Sequence, residues 1–258
     1  MQEGALFRMT TTITSPHNPK LQALRRLQRR REREHSGHFL VEGEDLIDAA
    51  SAAGIAPVEG YRTPDSSIQQ ACGVAFTEVE PQALAAVSAL GSGARVAAVY
   101  EQRFAPAPVG PLCLYLHGLS DPGNVGACLR SAHAFGASCV ALGPGCADPY
   151  SPKAVRASMG AIFATPLARA SAISQLPGRT LALAARRGAP LAQAVGKLAS
   201  EDLAVLVGAE REGLPQELIA ACDVVAHIPI AAESLNAAMA ATVALYEIDR
   251  HFTRVRAS

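Results

Sequence analysis

Asn124, Arg130, Glu210, Ser234 and Asn236 stand where a folded chain could place chemistry. Asn124 and Arg130 lie in Asp121-Pro-Gly-Asn-Val-Gly-Ala-Cys-Leu-Arg-Ser-Ala-His-Ala-Phe-Gly136, which follows the apolar run Leu112, Leu114, Leu116. Glu210 lies in Gly208-Ala-Glu-Arg-Glu-Gly213-Leu214, and Ser234 and Asn236 in Glu233-Ser-Leu-Asn, a few residues after Ile228-Pro229. Arginine, with a pKa above about 12, is a poor general base. It is well suited to stabilising a developing oxyanion or gripping a phosphate in its planar fork. Glycines at 123, 126, 208 and 213 follow strand-like runs, where glycine lets the backbone approach a ligand or take positive φ.

Four of these residues also have a plainer reading. Asn124 could be an N-cap of the helix behind it. Ser234 could cap the last helix, although a capping box would want Glu or Gln where Ala237 stands. Arg130 could form an ion pair with Glu210 or Asp148, and Glu210 could be an idle exposed acid.

The elements that must position these residues read as α/β in two blocks. A helix from Pro19 or Lys20 to about Glu34 puts Leu21, Leu24 and Leu27 on one face and Arg25, Arg29 and Arg33 on another. Phe39-Leu-Val-Glu-Gly43 reads as a strand and turn, and Glu44–Ala53 as a helix stopped by Gly54. The expected organisation is a flexible start over 1–18, a small α/β domain over 19–100, a proline-rich linker over 101–111 and a larger domain over 112–258. Met9 is a candidate alternative start. The larger domain predicts strands at 112–117, 138–142, near 161–165, 181–184, 203–207 and 224–228. Helices are predicted at 124–135, 151–159 with Gly160 as its stop, 215–221 and 234–250. Strands alternating with helices imply a mostly parallel sheet covered on both faces.

Bulk properties narrow the classes. Lys+Arg and Asp+Glu both number 23, so net charge announces no polyanion binder, yet Lys20 to Arg33 holds seven bases and one acid. The six cysteines are scattered, without Cys-x-x-Cys or zinc spacing, as expected of free thiols in a reducing cytosol. No signal peptide and no membrane-spanning run is expected. Neither a Gly-x-Gly-x-x-Gly after the strand at 112–117 nor a P-loop is present, which argues against a small-molecule enzyme on a dinucleotide-binding sheet.

Taken in order, the three stretches resemble the signature motifs of the SpoU/TrmH family of RNA ribose 2′-O-methyltransferases, in the SPOUT superfamily. The resemblance implies a parallel-sheet catalytic domain with a C-terminal trefoil knot. It also implies S-adenosylmethionine bound in a bent form, without metal. Gly208, Ala209, Glu210, Gly213, Ile228, Ser234, Leu235 and Asn236 would hold the cofactor, and Arg130, Asn124, Glu210, Ser234 and Asn236 would be catalytic. Methyl transfer needs oxygen, methyl carbon and sulfur roughly in line, and a hydroxyl that loses its proton. Arg130 fits alkoxide stabilisation or phosphate binding, and the proton acceptor stays open.

The front block resembles the family's small RNA-binding domain, so Arg25, Arg29 and Arg30 are expected on RNA, together with Lys153 and Arg156 of a substrate-side helix. A cytoplasmic homodimer through the alanine-rich last helix and the 124–135 helix is implied. The substrate is expected to be ribosomal RNA ahead of transfer RNA. The alternative is a catalytically silent RNA-binding or ribosome-assembly protein of the same fold. One departure bears on this: only Ile230, Ala231 and Ala232 separate Ile228-Pro229 from Glu233, where family members usually carry a longer insert.

Overall fold

The computed structural model describes residues 12–198 and 202–257, and divides into two compact units, up to Gln102 and from Arg103. The expected flexible start lies outside the described residues as far as residue 11, and Met9 with it. Within the remainder of that segment, Ile13 is buried and bridges Val79.

The first unit runs α1 (Pro19–Arg26), α2 (Arg30–Ser36), β1 (His38–Glu42), α3 (Glu44–Ala52), β2 (Glu59–Arg62), β3 (Gln70–Ala71), β4 (Val74–Ala75), β5 (Thr77–Glu78), α4 (Pro81–Ala85) and β6 (Val96–Glu101). Its main sheet has the order β1-β6-β2-β5, with β6 antiparallel to both neighbours. Leu21, Leu24 and Leu27 are buried in its core with Leu84 and Val99, as their spacing predicts.

The basic segment departs from expectation. It is two short helices, not one. Arg29 is the extended N-cap of α2 (φ −92°, ψ 133°). Arg33 is only 2% exposed. Its Nη1 donates to the carbonyls of Leu27 and Gln28 at 2.8 and 2.9 Å, while Gln28 Nε2 donates to Val87 O at 2.7 Å. The break frees carbonyls that a continuous helix would have used, and Arg33 satisfies them. Arg33 therefore does not share an outward face with Arg25 and Arg29.

The second unit runs β7 (Leu112–Leu116), α5 (Pro122–Ala134), β8 (Cys139–Leu142), α6 (Pro152–Ser158), α7 (Ala161–Ala164), β9 (Leu167–Arg169), β10 (Arg179–Leu183), β11 (Ala189–Pro190), α8 (Leu191–Gly196), β12 (Leu203–Val207), α9 (Gln216–Ala220), β13 (Val224–His227) and α10 (Ala237–Ala257). Its seven strands form one parallel sheet in the order β11-β13-β10-β12-β7-β8-β9. Both faces are covered, which is why β7 and β12 are apolar and buried throughout. The expected strand near 161–165 is instead the helix α7, and the neighbouring strand is β9. The last helix begins at Ala237, not 234, and α8 and β11 were not foreseen.

Chain leaving β7 turns toward β8, whereas chain leaving β12 turns toward β13, on the other side. Divergence of neighbouring connections opens a crevice at the carboxyl ends of parallel strands. Val207 pairs with Leu116, and His117 N donates to Val207 O at 2.9 Å, so the loops after both strands depart level with one another.

Candidate active site

Three loops meet in this crevice. Asp121, not Asn124, caps α5: its Oδ1 accepts from Gly123 N at 2.6 Å, and Pro122 fills the first helical position. Asp121 Oδ1 also pairs with Lys153 Nζ at 2.8 Å, and the Lys153 ammonium followed by the Gly123 amide holds the Asp121 carboxyl below the usual carboxylate range. Both side chains are substantially exposed, so the pair contributes little to stability. Lys153 on α6 is therefore engaged by an acid.

Freed from capping, Asn124 points away from the α5 backbone. Its Nδ2 donates to Glu210 Oε1, and its Oδ1 accepts from Asn236 Nδ2 at 3.1 Å. Asn236 Oδ1 in turn accepts from Ala238 N and Met239 N at 3.0 and 3.3 Å. Asn236, not Ser234, is thus the residue whose side chain caps α10. One polar chain, Glu210–Asn124–Asn236, joins the loop after β12, the first turn of α5 and the start of α10.

The loop after β12 closes on itself. Gly213 N donates to Ala209 O at 2.9 Å, and Gly213 sits at φ +67°, a conformation favouring glycine. A Cβ at Gly208 would overlap the backbone of Gly213 and Leu214. A cleft of about 600 Å³ lies beside this loop, at the ends of β10, β12 and β13. Gly208, Ala209, Glu210, Gly213, Ile228, Ser234 and Leu235 line it; of the expected cofactor positions Asn236 does not. Ser234 is exposed in the loop before α10. Arg187, Gln216 and Ile219 also line the cleft and were missed. Arg187 Nη1 donates to Gln216 Oε1 across its wall. Nothing local in the sequence ties the turn after β10 to the start of α9.

Arg130 stands apart from the polar chain. It is exposed and has no hydrogen bond or ion pair among the described residues. The ion pair with Glu210 or Asp148 is not formed. Arg156 is half-buried on α6, which ends on Met159 in the left-handed region (φ 48°); Gly160 at φ 88° follows and opens α7 instead of terminating α6 by itself. The α5–α6 approach is close: a Cβ at Gly126 would overlap the Ala154 carbonyl. In the first unit Arg25 and Arg29 are exposed, and Arg30 pairs with Glu34 at 2.7 Å.

The arrangement offers a partly apolar cleft with a glycine-bounded loop and a shared polar wall, and, apart from it on α5, the uncommitted Arg130. Residues 111–246 match the model of the SpoU rRNA Methylase family, and residues 18–98 match an MRM3-like substrate binding domain. The chain is 29% identical over 248 residues, 92% of its length and 98% of the relative's, to the 23S rRNA (guanosine(2553)-2′-O)-methyltransferase RlmP of Bacillus subtilis. The AdoMet-bound rRNA methyltransferase of Sinorhizobium meliloti has a TM-score of 0.81 at 29% identity, covering 93% of this chain and 98% of that one. The SpoU methyltransferase AviRb of Streptomyces viridochromogenes, in complex with AdoMet, has a TM-score of 0.78 at 26% identity, covering 92% and 98%.

Proposed function

The chain belongs to the SpoU rRNA Methylase family, and on that premise we propose that it methylates the 2′-hydroxyl of a ribose in ribosomal RNA, with S-adenosylmethionine as donor. The observation that carries the reading is the contact of Asn124 with both Glu210 and Asn236, which brings the three motif stretches together beside one cleft.

The cleft fits the cofactor by its own chemistry. About 600 Å³ lies within the range of small-molecule sites. Val207, Ile219, Ile228 and Leu235 give apolar walls for a purine ring, while Glu210, Glu212 and main-chain groups of 208–214 give polar partners. When bound, S-adenosylmethionine supplies a methyl group on a sulfonium, which needs no metal to activate it.

The chain's residues then divide the work. Glu210 accepts from Asn124 and holds it against Asn236, so these act first as positioning residues for the cleft's wall. Arg130, uncommitted and permanently charged, grips the ribose-adjacent phosphate or steadies the alkoxide as the hydroxyl loses its proton. Ser234 offers a hydroxyl at the cleft's edge. Lys153, Arg156 and, in the substrate-binding unit, Arg25, Arg29 and Arg30 serve the RNA backbone.

The reading carries further parts: a trefoil-knotted passage at the C-terminal end, a homodimer and a cytoplasmic setting. The dimer is supported by α10. Ala237, Ala238, Ala241, Ala244 and Leu245 are buried within the subunit, and Ser131 Oγ lies 2.6 Å from Thr242 Oγ1 between α5 and α10. Met239, Val243 and Tyr246 remain 61%, 39% and 52% exposed, on one stripe of the same helix.

The test is transfer of labelled methyl from S-adenosylmethionine to ribosomal RNA by the purified protein, with the product mapped as a 2′-O-methyl nucleotide. A product on a base, or no transfer despite tight cofactor binding, would overturn the reading.

A further inference from the structure

A cluster at the far end of the parallel sheet is absorbed by none of this. Arg169, the last residue of β9, holds its guanidinium carbon 4.4 Å from the ring centre of Phe104. Phe104 meets Tyr150 edge-on, with centroids 5.4 Å apart at 89°. Tyr150 is 3% exposed. Its hydroxyl donates to Arg103 O at 2.5 Å and accepts from Arg103 N at 2.9 Å, so one phenol closes both backbone groups of Arg103. Burial pushes that hydroxyl up to about 12, so it stays protonated and can donate. Ala105 N completes the bracket, donating to Leu167 O at 2.6 Å.

This bracket fixes the backbone of 103–105 and the ring of Phe104, yet the charges it carries point outward. Arg169 is exposed, and its one described partner is the ring of Phe104. Arg103 is exposed too, and its side chain has no partner among the described residues. Two arginines beside a pinned aromatic ring are more than fastening requires, because the tyrosine bonds already hold the segment.

The cluster also lies at the carboxyl ends of the parallel strands, as the cleft does. The carboxyl end of β9 is on the same side as those of β7 and β12. Tyr150 is followed by Ser151, which caps α6, and Lys153 of α6 pairs with Asp121 at the head of the helix carrying Asn124.

We propose that Arg169, seated on Phe104, is a stacking platform for an unpaired base of the RNA substrate, with Arg103 taking a neighbouring phosphate. Single-stranded RNA is held by stacking bases on aromatic rings and guanidinium planes, with cations along the backbone. A guanidinium already immobilised on a ring loses little further freedom when a base covers it. The proposal rests on the RNA-methyltransferase reading and adds a base-contacting site on the catalytic unit.

The test compares two labelled strands of equal length, oligoadenylate and an abasic ribose-phosphate strand, bound by the full-length protein and followed by anisotropy. The wild type is expected to prefer the base-bearing strand, and Arg169→Ala to lower that preference by about 10-fold. Arg169→Lys should keep affinity for the abasic strand without restoring the preference, because an ammonium has no plane to stack on. Phe104→Leu, which removes the seat, should resemble Arg169→Lys. An unchanged preference in Arg169→Ala and Arg169→Lys, with native melting temperatures, would make the cluster a fastening only. Should Arg169→Ala misfold, full preference in the lysine variant suffices to overturn the platform. Wild-type protein that binds S-adenosylmethionine but neither strand would overturn the RNA reading itself, before any variant is made.

Discussion

Asn124 donates its side-chain amide to Glu210, 86 residues farther along the chain. The bond ties the first turn of α5 to the loop that edges the cleft. Because Asn124 also accepts from Asn236, loss of either Asn124 or Glu210 breaks the same unit. Asn124→Ala and Glu210→Ala should each weaken S-adenosylmethionine binding, and the double variant should be little worse than the singles. A coupling energy of about 0.5–3 kcal/mol is expected by calorimetric titration. Strict additivity would mean that the contact has no part in shaping the cleft.

Arg130 touches nothing in the cleft, so its contribution should appear in turnover and not in cofactor affinity. Arg130→Ala is expected to lower kcat by roughly 100-fold or more, the scale of losing one oxyanion donor, with the cofactor Kd unchanged. Arg130→Lys should recover little of it. Near-normal single-turnover rates in the alanine variant would remove Arg130 from the chemistry.

Gly208 and Gly213 should fail differently. At Gly208 any side chain meets the backbone of Gly213 and Leu214, so Gly208→Ala should open the loop, abolish cofactor binding and lower Tm. At Gly213 there is space and only the conformation is strained (φ +67°). Gly213→Ala should therefore cost about 1–2 kcal/mol and weaken binding without abolishing it. Thermal shift with and without cofactor separates the two; identical behaviour would contradict the loop geometry.

The basic segment of the first unit separates stability from RNA binding. Arg33 is buried and spends its guanidinium on the Leu27 and Gln28 carbonyls. Arg33→Met should destabilise by about 1.5–3 kcal/mol in urea titration. Arg25→Ala with Arg29→Ala should leave stability alone and flatten the salt dependence of RNA binding. The slope should fall by about 0.7–0.9 for each phosphate that is no longer neutralised. An unchanged slope would return both arginines to solvated surface.

On α10 the position of a substitution should decide its effect. Ala241 and Ala244 are fully buried inside the subunit, so arginine there should unfold the protein. Val243→Arg lies on the exposed stripe and should instead give folded monomers by light scattering, since a twofold contact meets the change twice. A wild type that is already monomeric at micromolar concentration would sink the dimer.

Much of this protein could be read in one dimension. The continuous apolar runs at 112–116 and 203–207, separated by helical stretches, dictate a parallel sheet buried on both faces, because the backbone of such strands must pair and their side chains have no wet side. The glycines at 208 and 213 and the polar residues at 124, 210 and 236 mark the loops at its carboxyl ends. What each polar residue does was decided only by folding. Capping fell to Asp121 and Asn236 because α5 starts at Pro122 and α10 at Ala237, while the Asn124 side chain is taken up by Glu210 and Asn236 from distant segments. The basic helix split at 27–29, where Arg33 offers the freed Leu27 and Gln28 carbonyls a donor and Val87 O takes the Gln28 side chain, partners that no local periodicity records. Arg103, Phe104, Tyr150 and Arg169 are unremarkable in sequence, and they became one cluster only when β9 was laid beside β8 and the chain after β6 was fastened along it. Local pattern sets which surfaces must be buried; the tertiary structure sets which polar groups are left to satisfy one another.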